Sequence, residues 1–185
     1  WIFEQPAVMD FIQNHFRKLF SSEMLLSSRQ ATFTHAEAPR LSISDVQTLS
    51  LPVLDDEIKN ALWSLKPFKS PGPDGIHAGF YRRFWLLVKD SVTNEIKKVF
   101  RERKVPAYLN QTHIALIPKI KGPETIGNYR PISLCNSVYK ILSKIIVTRI
   151  RPHLDKLVSP FQTAFVPGRK GIDNAIIAQE IIHTV

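Results

Sequence analysis

The stretch from His113 to Leu134 constrains this chain more than any other. Two short apolar runs, Ile114 to Ile117 and Tyr129 to Leu134, flank a segment containing Gly122-Pro123 and Gly127-Asn128. Apolar runs of this length bounded by turn formers predict a buried strand and its partner. Pro118 and Pro131 have no N–H to give to a ladder, so they belong at strand ends or on an edge. The expected product is a loose hairpin with Lys119, Lys121 and Arg130 near its tip. A cationic hairpin on an apolar base is suited to holding a polyanion.

A chain of 185 residues, 44% hydrophobic, is long enough for one domain with a core, or a domain and an arm. Cys135 is the single cysteine, which excludes an internal disulfide and any multi-cysteine metal site. No apolar run reaches bilayer length, so no membrane partner is expected, and no secretory leader is visible. The sequence opens on Trp1 and closes within an apolar helical pattern, Ile181 to Val185, which is the expectation for a piece of something longer. The net charge of +9 is unevenly placed. Residues 1–65 hold five Lys/Arg against eight Asp/Glu, and residues 66–185 hold twenty against eight. Such asymmetry fits a polyanionic partner for the second part, or a solvated basic surface; charge alone leaves both open.

Residues 1–20 space Val8, Phe11, Ile12, Phe16 and Leu19 in a roughly helical pattern, and residues 21–50, rich in Ser, Thr and Ala, read as a linker. Asp55, Asp56 and Glu57 suit a helix N-terminus, with Ile58, Ala61, Leu62 and Leu65 forming an apolar face that ends near Lys66-Pro67. Three prolines and two glycines within residues 67–76 rule out helix or interior strand there. This loop is either a rigid turn between helices or a backbone laid against a ligand, with Lys69 supplying charge. One long helix is expected from Ala78 to Arg103, with Phe80, Phe84, Val88, Val92, Ile96 and Val99 in one stripe. After the hairpin, Asn136 or Ser137 can cap a helix whose core face is Val138, Ile141, Leu142, Ile145 and Ile146. Lys140, Lys144, Thr148 and Arg151 line another face, either as a solvated side or as a track for nucleic acid. Pro152 ends or kinks it. Beyond it, Phe161 and Phe165 are expected to be buried or stacked. Gly168-Arg169-Lys170-Gly171 forms a basic turn, and Asp173 or Asn174 caps a last helix from Ala175.

Several chemistries are excluded by motif. There is no His-Glu-x-x-His, no Gly-x-Ser-x-Gly elbow and no phosphate loop of the Gly-x-x-x-x-Gly-Lys-Ser/Thr type. Two-metal phosphoryl transfer needs converging carboxylates. Asp74 and Asp173 lie in glycine-rich turns, and Asp155 lies among lysines, so no catalytic and no metal-binding residue is assigned.

Three motifs in order nevertheless resemble a known family. They are Lys69-Ser70-Pro71-Gly72-Pro73-Asp74-Gly75-Ile76, then Ala115 to Lys119 followed by Asn128 to Leu134, then Phe161 to Arg169 with Asp173-Asn174. Together they resemble the opening of the reverse transcriptase of a non-LTR, LINE-type retrotransposon, most like plant elements. The resemblance runs from about Asp55 to Val185, with Thr163 standing where the family has Ser. It implies an α-rich α/β fold, part of a right-hand polymerase, with residues 55–185 forming the fingers and the start of the palm. Residues 1–54 would be an arm upstream of the polymerase.

The resemblance further implies that Lys119 and Arg130 grip the triphosphate of the incoming nucleotide. Lys69, Gly72, Asp74, Gly75, Lys121, Gln162, Gly168 and Arg169 would lie along nucleic acid. An RNA template, a DNA primer, and the rest of the palm and the thumb of a parent polyprotein are the implied partners. Mg²⁺ and a dNTP would serve the complete parent enzyme. This chain would bind neither alone and would not polymerise, because the family's metal-binding aspartates fall after Val185. The family's way of life implies the nucleus. The contrasting reading is a non-catalytic nucleic-acid-binding module, domesticated or decaying.

Overall fold

The structure is a computed structural model, and it describes residues 3–21, 41–159 and 162–184. Phe161, expected to be buried or stacked, lies outside the described residues, as do residues 22–40 of the expected linker. In chain order the elements are α1 (Gln5–Phe20), α2 (Ile43–Leu49), α3 (Asp55–Ser64), α4 (Ala78–Arg83) and α5 (Trp85–Glu102), then β1 (Thr112–Pro118), β2 (Tyr129–Cys135), α6 (Ser137–Ile150), α7 (Leu154–Leu157) and α8 (Gly171–Thr184). Single 3₁₀ turns cover Ile126–Asn128 and Arg151–His153. The described residues are therefore helix-rich α/β with one two-stranded hairpin among them.

The chain divides into two compact units. The first joins residues 1–38 to the hairpin tip, residues 116–130. Its helix α1 opens with Pro6 in the first turn and closes with Arg17 and Lys18, cations suited to a helix C-terminus. Only Phe16 of α1 is buried. The second unit comprises residues 39–115 and 131–185 and holds the core. There α3 and α6 pack face to face, and Ile58 and Leu62 meet Ile141, Leu142 and Ile145 in a single apolar cluster. Val92, Ile96 and Val99 of α5 complete it. The i, i+3, i+4 spacing read in α3 and α6 is the spacing that produces these buried faces.

Several expectations are corrected. Within the expected linker, residues 43–49 are helical, and α2 carries a capping box: the Ser42 hydroxyl accepts from the Asp45 N–H while the Asp45 carboxylate accepts from the Ser42 N–H. The long helix from Ala78 is two helices. Phe84 leaves helical geometry at φ −106°, ψ 24°, without any proline, and beyond the break the Trp85 ring meets Trp63 edge-on at 5.6 Å. Ile114 and Ile117, expected in a buried strand, are substantially exposed, because two strands alone cover neither face. Ile146 on α6 is likewise exposed. Phe165 is fully exposed rather than buried, on a left-handed backbone at φ +66°. The last helix begins at Gly171, four residues before the expected Ala175, and the Asp173 carboxylate reaches back to the Lys170 N–H at 3.3 Å.

Candidate nucleotide and nucleic-acid site

The hairpin tip is set by its register. The Lys119 N–H donates to the Asn128 carbonyl at 2.7 Å, and the Thr112 hydroxyl donates to the Cys135 sulfur at 3.0 Å. Both pairs fit one antiparallel alignment, with no residue added on either strand between them. In that alignment Arg130 falls opposite Ile117, which lies on the same face as Lys119. Lys119 and Arg130 are thus diagonal neighbours on one face of the tip, a relation that brings long side chains within reach of one group. Pro118 ends β1, where a missing N–H costs nothing, and Pro131 lies in a strand with a free edge.

The Lys119 ammonium donates to the Gly127 carbonyl at 2.8 Å, so it is held over the turn rather than free to swing. Arg130 and Lys121 are exposed, and among the described residues their side chains make no hydrogen bond or ion pair. The guanidinium of Arg130 therefore keeps its full donor fork for a ligand. Gly122, at φ +66°, provides the left-handed residue that the turn requires.

The remaining sequence-selected residues lie in the second unit, in two loops. In the first, the Asp74 carboxylate accepts from the Ile76 N–H at 2.9 Å, a local turn, and the Gly75 N–H donates to the Gly72 carbonyl at 3.0 Å. Gly72 is buried against the start of α6. A Cβ there would lie 2.4 Å from the Asn136 nitrogen and 2.5 Å from the Cys135 carbonyl carbon. Asn136 stands at the N-cap of α6, but its side chain does not cap. Its amide oxygen accepts from the Asp74 N–H at 3.2 Å and its amide nitrogen donates to the Tyr108 carbonyl at 3.0 Å. Ser137 donates to the Ile76 carbonyl and Lys140 to the Ser70 carbonyl. The proline-glycine loop is therefore fixed to α6 along most of its length, and Lys69 projects from it exposed. Beside it, burial and then the Asp74 carboxylate push the Tyr81 phenol up.

In the second loop, Arg169 is turned inward. Its guanidinium donates to the carbonyls of Ser159 at 2.6 Å, Gln162 at 2.8 Å and Val158 at 3.2 Å, and pairs with Asp155 at 3.3 Å. It closes the end of α7 and shapes the loop, with Gly168 beside it at φ +82°. Gln162 is exposed. The structure thus places Lys119, Lys121 and Arg130 together on the first unit, and gathers Gly72, Asp74 and Gly75 separately from Gln162, Gly168 and Arg169 on the second. Among the described residues there is no group of three or more His, Cys, Asp or Glu side chains fit to hold a metal ion.

Sequence reasoning missed Arg149. It pairs both oxygens of Glu57, at 2.6 and 2.7 Å, and donates to the carbonyls of Leu49, Leu51 and Pro52. Hydrogen bonding to Glu57 holds its guanidinium charged more firmly than usual. On the helical wheel it falls within the apolar face, four residues after Ile145 and seven after Leu142, so a lone arginine among the core positions was the signal that could have found it.

This geometry coincides with a sequence match. Residues 117–184 match the family of reverse transcriptases (RNA-dependent DNA polymerases), beginning within β1 at the tip. The chain is 29% identical over 97% of its length to the "Transposon TX1 uncharacterized 149 kDa protein" of Xenopus laevis. It is 31% identical over 64% of its length to the Pol polyprotein from the type-1 retrotransposable element R1 of Bradysia coprophila, and 30% over 56% to that from element R2. The chain spans 14%, 12% and 11% of these relatives. Residues 117–184 are thus similar to reverse transcriptases, and the chain as a whole is similar to proteins of transposons and non-LTR retrotransposable elements. The relatives come from an amphibian and an insect, so they lend no support to a plant affinity.

Proposed function

We propose that this chain forms the fingers, and the approach to the palm, of an RNA-directed DNA polymerase. Lys119 and Arg130 clamp the triphosphate of the incoming dNTP there. The observation that carries this reading is the placement of both cations on one face of the hairpin tip, one tethered and one with its donor fork free. A guanidinium binds two phosphate oxygens at once and an ammonium binds as a point charge, so the pair fits a polyphosphate rather than a single carboxylate. When the primer's 3′-hydroxyl attacks the α-phosphorus, negative charge gathers on the leaving pyrophosphate. Fixed cations on its oxygens stabilise that charge without reorganising.

The residues described here do not fit a metal site, so divalent ions for such a reaction would be held elsewhere in the polymerase. Lys69 and the loop of Gly72, Asp74 and Gly75, with Lys121, Gln162 and Gly168, are assigned to the RNA template and DNA primer. Arg169 acts there by shaping its loop. The remaining palm and the thumb are the protein partners in this reading.

The test is a kinetic split in a polymerase carrying this segment. Arg130→Ala and Lys119→Ala should each raise the KM for dNTP about tenfold or more, the loss of one charge-assisted bond. The Kd for template–primer should hold. Equal losses in nucleotide use and template binding overturn the clamp.

A further inference from the structure

Resting on the reading of an RNA template strand, we infer that the surface made by residues 66–69 and 78–84 is a stacking platform for single-stranded RNA. Unpaired bases would stack on Phe68 and on Phe80 and Phe84, and phosphates would meet Lys66, Lys69 and Arg83. This surface precedes residue 117, outside the segment matched to the polymerase family.

Three aromatic rings are unusually bare there. Phe68 is 83% exposed, Phe84 43% and Phe80 39%. They are nonetheless positioned. The Gly79 N–H donates to the Pro67 carbonyl at 2.9 Å, which fastens the Phe68 segment to the first turn of α4. Phe68 packs edge-on against His77 with centroids 5.5 Å apart, and a Cβ on Gly79 would touch its ring at 3.3 Å. Phe80 and Phe84, one turn apart, have centroids 5.1 Å apart. A fastened, exposed ring is ready to stack, since little freedom remains to be lost on binding.

The charge around the rings selects the occupant. Residues 59–85 contain five Lys/Arg and one acid, Asp74, whose carboxylate is engaged by the Ile76 N–H. Lys59 and Arg82 lie over the Trp63 ring, each 5.7 Å from its centroid, so Trp63 is not part of the platform. Lys66, Lys69 and Arg83 are exposed and have no ion-pair partner among the described residues. An apolar protein segment over the three rings would strip water from these cations without pairing them. A single strand meets both needs, with bases for the rings and phosphates for the cations, and stacking is tolerant of sequence.

The test uses the whole chain and fluorescence anisotropy with a labelled single-stranded RNA of mixed sequence. Duplex RNA and single-stranded DNA of the same sequence serve as comparison arms. Phe68→Ala should weaken binding of single-stranded RNA about five- to tenfold, leave duplex binding unchanged, and keep the slope of log K against log salt. Phe68→Trp should retain affinity. Lys69→Ala and Arg83→Ala should each reduce the slope by about 0.7, one phosphate contact on a single strand. The exposure of Phe68 makes its variants fold-neutral, which a matching thermal melt verifies. Wild-type affinity in Phe68→Ala overturns the platform. So does full retention in Phe68→Leu, which would mark an apolar protein-docking face, or an equal loss on duplex. Tighter binding of the DNA strand overturns the assignment to RNA. Failure here is separable from failure of the nucleotide clamp, which is read through Lys119, Arg130 and the dNTP KM.

Discussion

Gly72 and Gly75 are three residues apart in one loop, yet they are glycine for different reasons. Gly72 is glycine because of what touches it: a methyl group there would meet the Asn136 nitrogen at 2.4 Å and the Asn136 Oδ1 at 2.5 Å. Gly75 has open space on its Cβ side and is glycine because its φ is +71°. Gly72→Ala must move the start of α6 or the loop, and should cost about 1–3 kcal/mol, the range for overpacking a close contact. Gly75→Ala should cost about 1 kcal/mol of left-handed strain and leave the loop in place. Urea unfolding of the two variants checks the order. A Gly72→Ala protein as stable as the parent would mean that the loop is not fixed to α6. The same residues show what a sequence makes legible. The turn character of both glycines follows from their neighbours Pro71, Pro73 and Asp74. The close contact of Gly72 could not be read, because its partner Asn136 lies more than sixty residues away and carries no local signature beyond that of a helix cap.

At the scale of elements, α3 and α6 were legible because each carries its core face at helical spacing and buries that same face, Ile146 excepted. The hairpin was legible from its turn formers and its two prolines. Three things were not. The helix break at Phe84 has no proline or glycine to mark it. The helix α2 has seven residues, too short for a periodic signal. The exposure of Ile114 and Ile117 depends on how many strands the sheet has, which an apolar run cannot state. Arg149 was legible in part: a lone cation in the apolar face of α6 calls for a shielded partner, but does not say which one. From α6 it secures the connection between α2 and α3 through Glu57 and three backbone carbonyls, and its partners lie more than ninety residues away. Removing it leaves those carbonyls and a largely shielded carboxylate without a donor. Arg149→Met should therefore destabilise the second unit by about 1.5–3 kcal/mol, the range for charge-assisted bonds. Arg149→Lys should recover only part, since an ammonium cannot engage both Glu57 oxygens in the same fork. Chemical denaturation of the pair checks this. Full recovery with Lys would show that charge alone matters.

At the scale of the whole molecule, the charge asymmetry read from the sequence has a structural counterpart. Acids of the first third pair with cations of the later chain: Asp55 with Lys97, Glu57 with Arg149, and Asp45 with Lys156. These pairs engage three of the eight acids of residues 1–65, while Lys66, Lys69, Arg83, Lys121 and Arg130 make no ion pair among the described residues. Asp45 is the pair with a readable pH signature. Its carboxylate accepts from the Lys156 ammonium at 2.8 Å and caps α2 through Ser42, while His153 Nδ1 lies 3.4 Å from its other oxygen. The Lys156 bond, and then the Ser42 bond, lower its pKa from the ordinary 3.8 to about 2. A carboxyl depressed in the folded state contributes stability that is fully present above its unfolded value and disappears as pH falls through the folded one. The contribution is thus constant above about pH 4 and lost as pH falls toward 2. Asp45→Asn should lower the melting temperature at neutral pH and flatten its fall over that acid range relative to the parent. Thermal melts from pH 7 to pH 2 measure both. Parallel curves for parent and variant across the acid range would show that Asp45 titrates alike in the folded and unfolded chain. The contact between α2 and α7 would then be incidental to the stability of the fold.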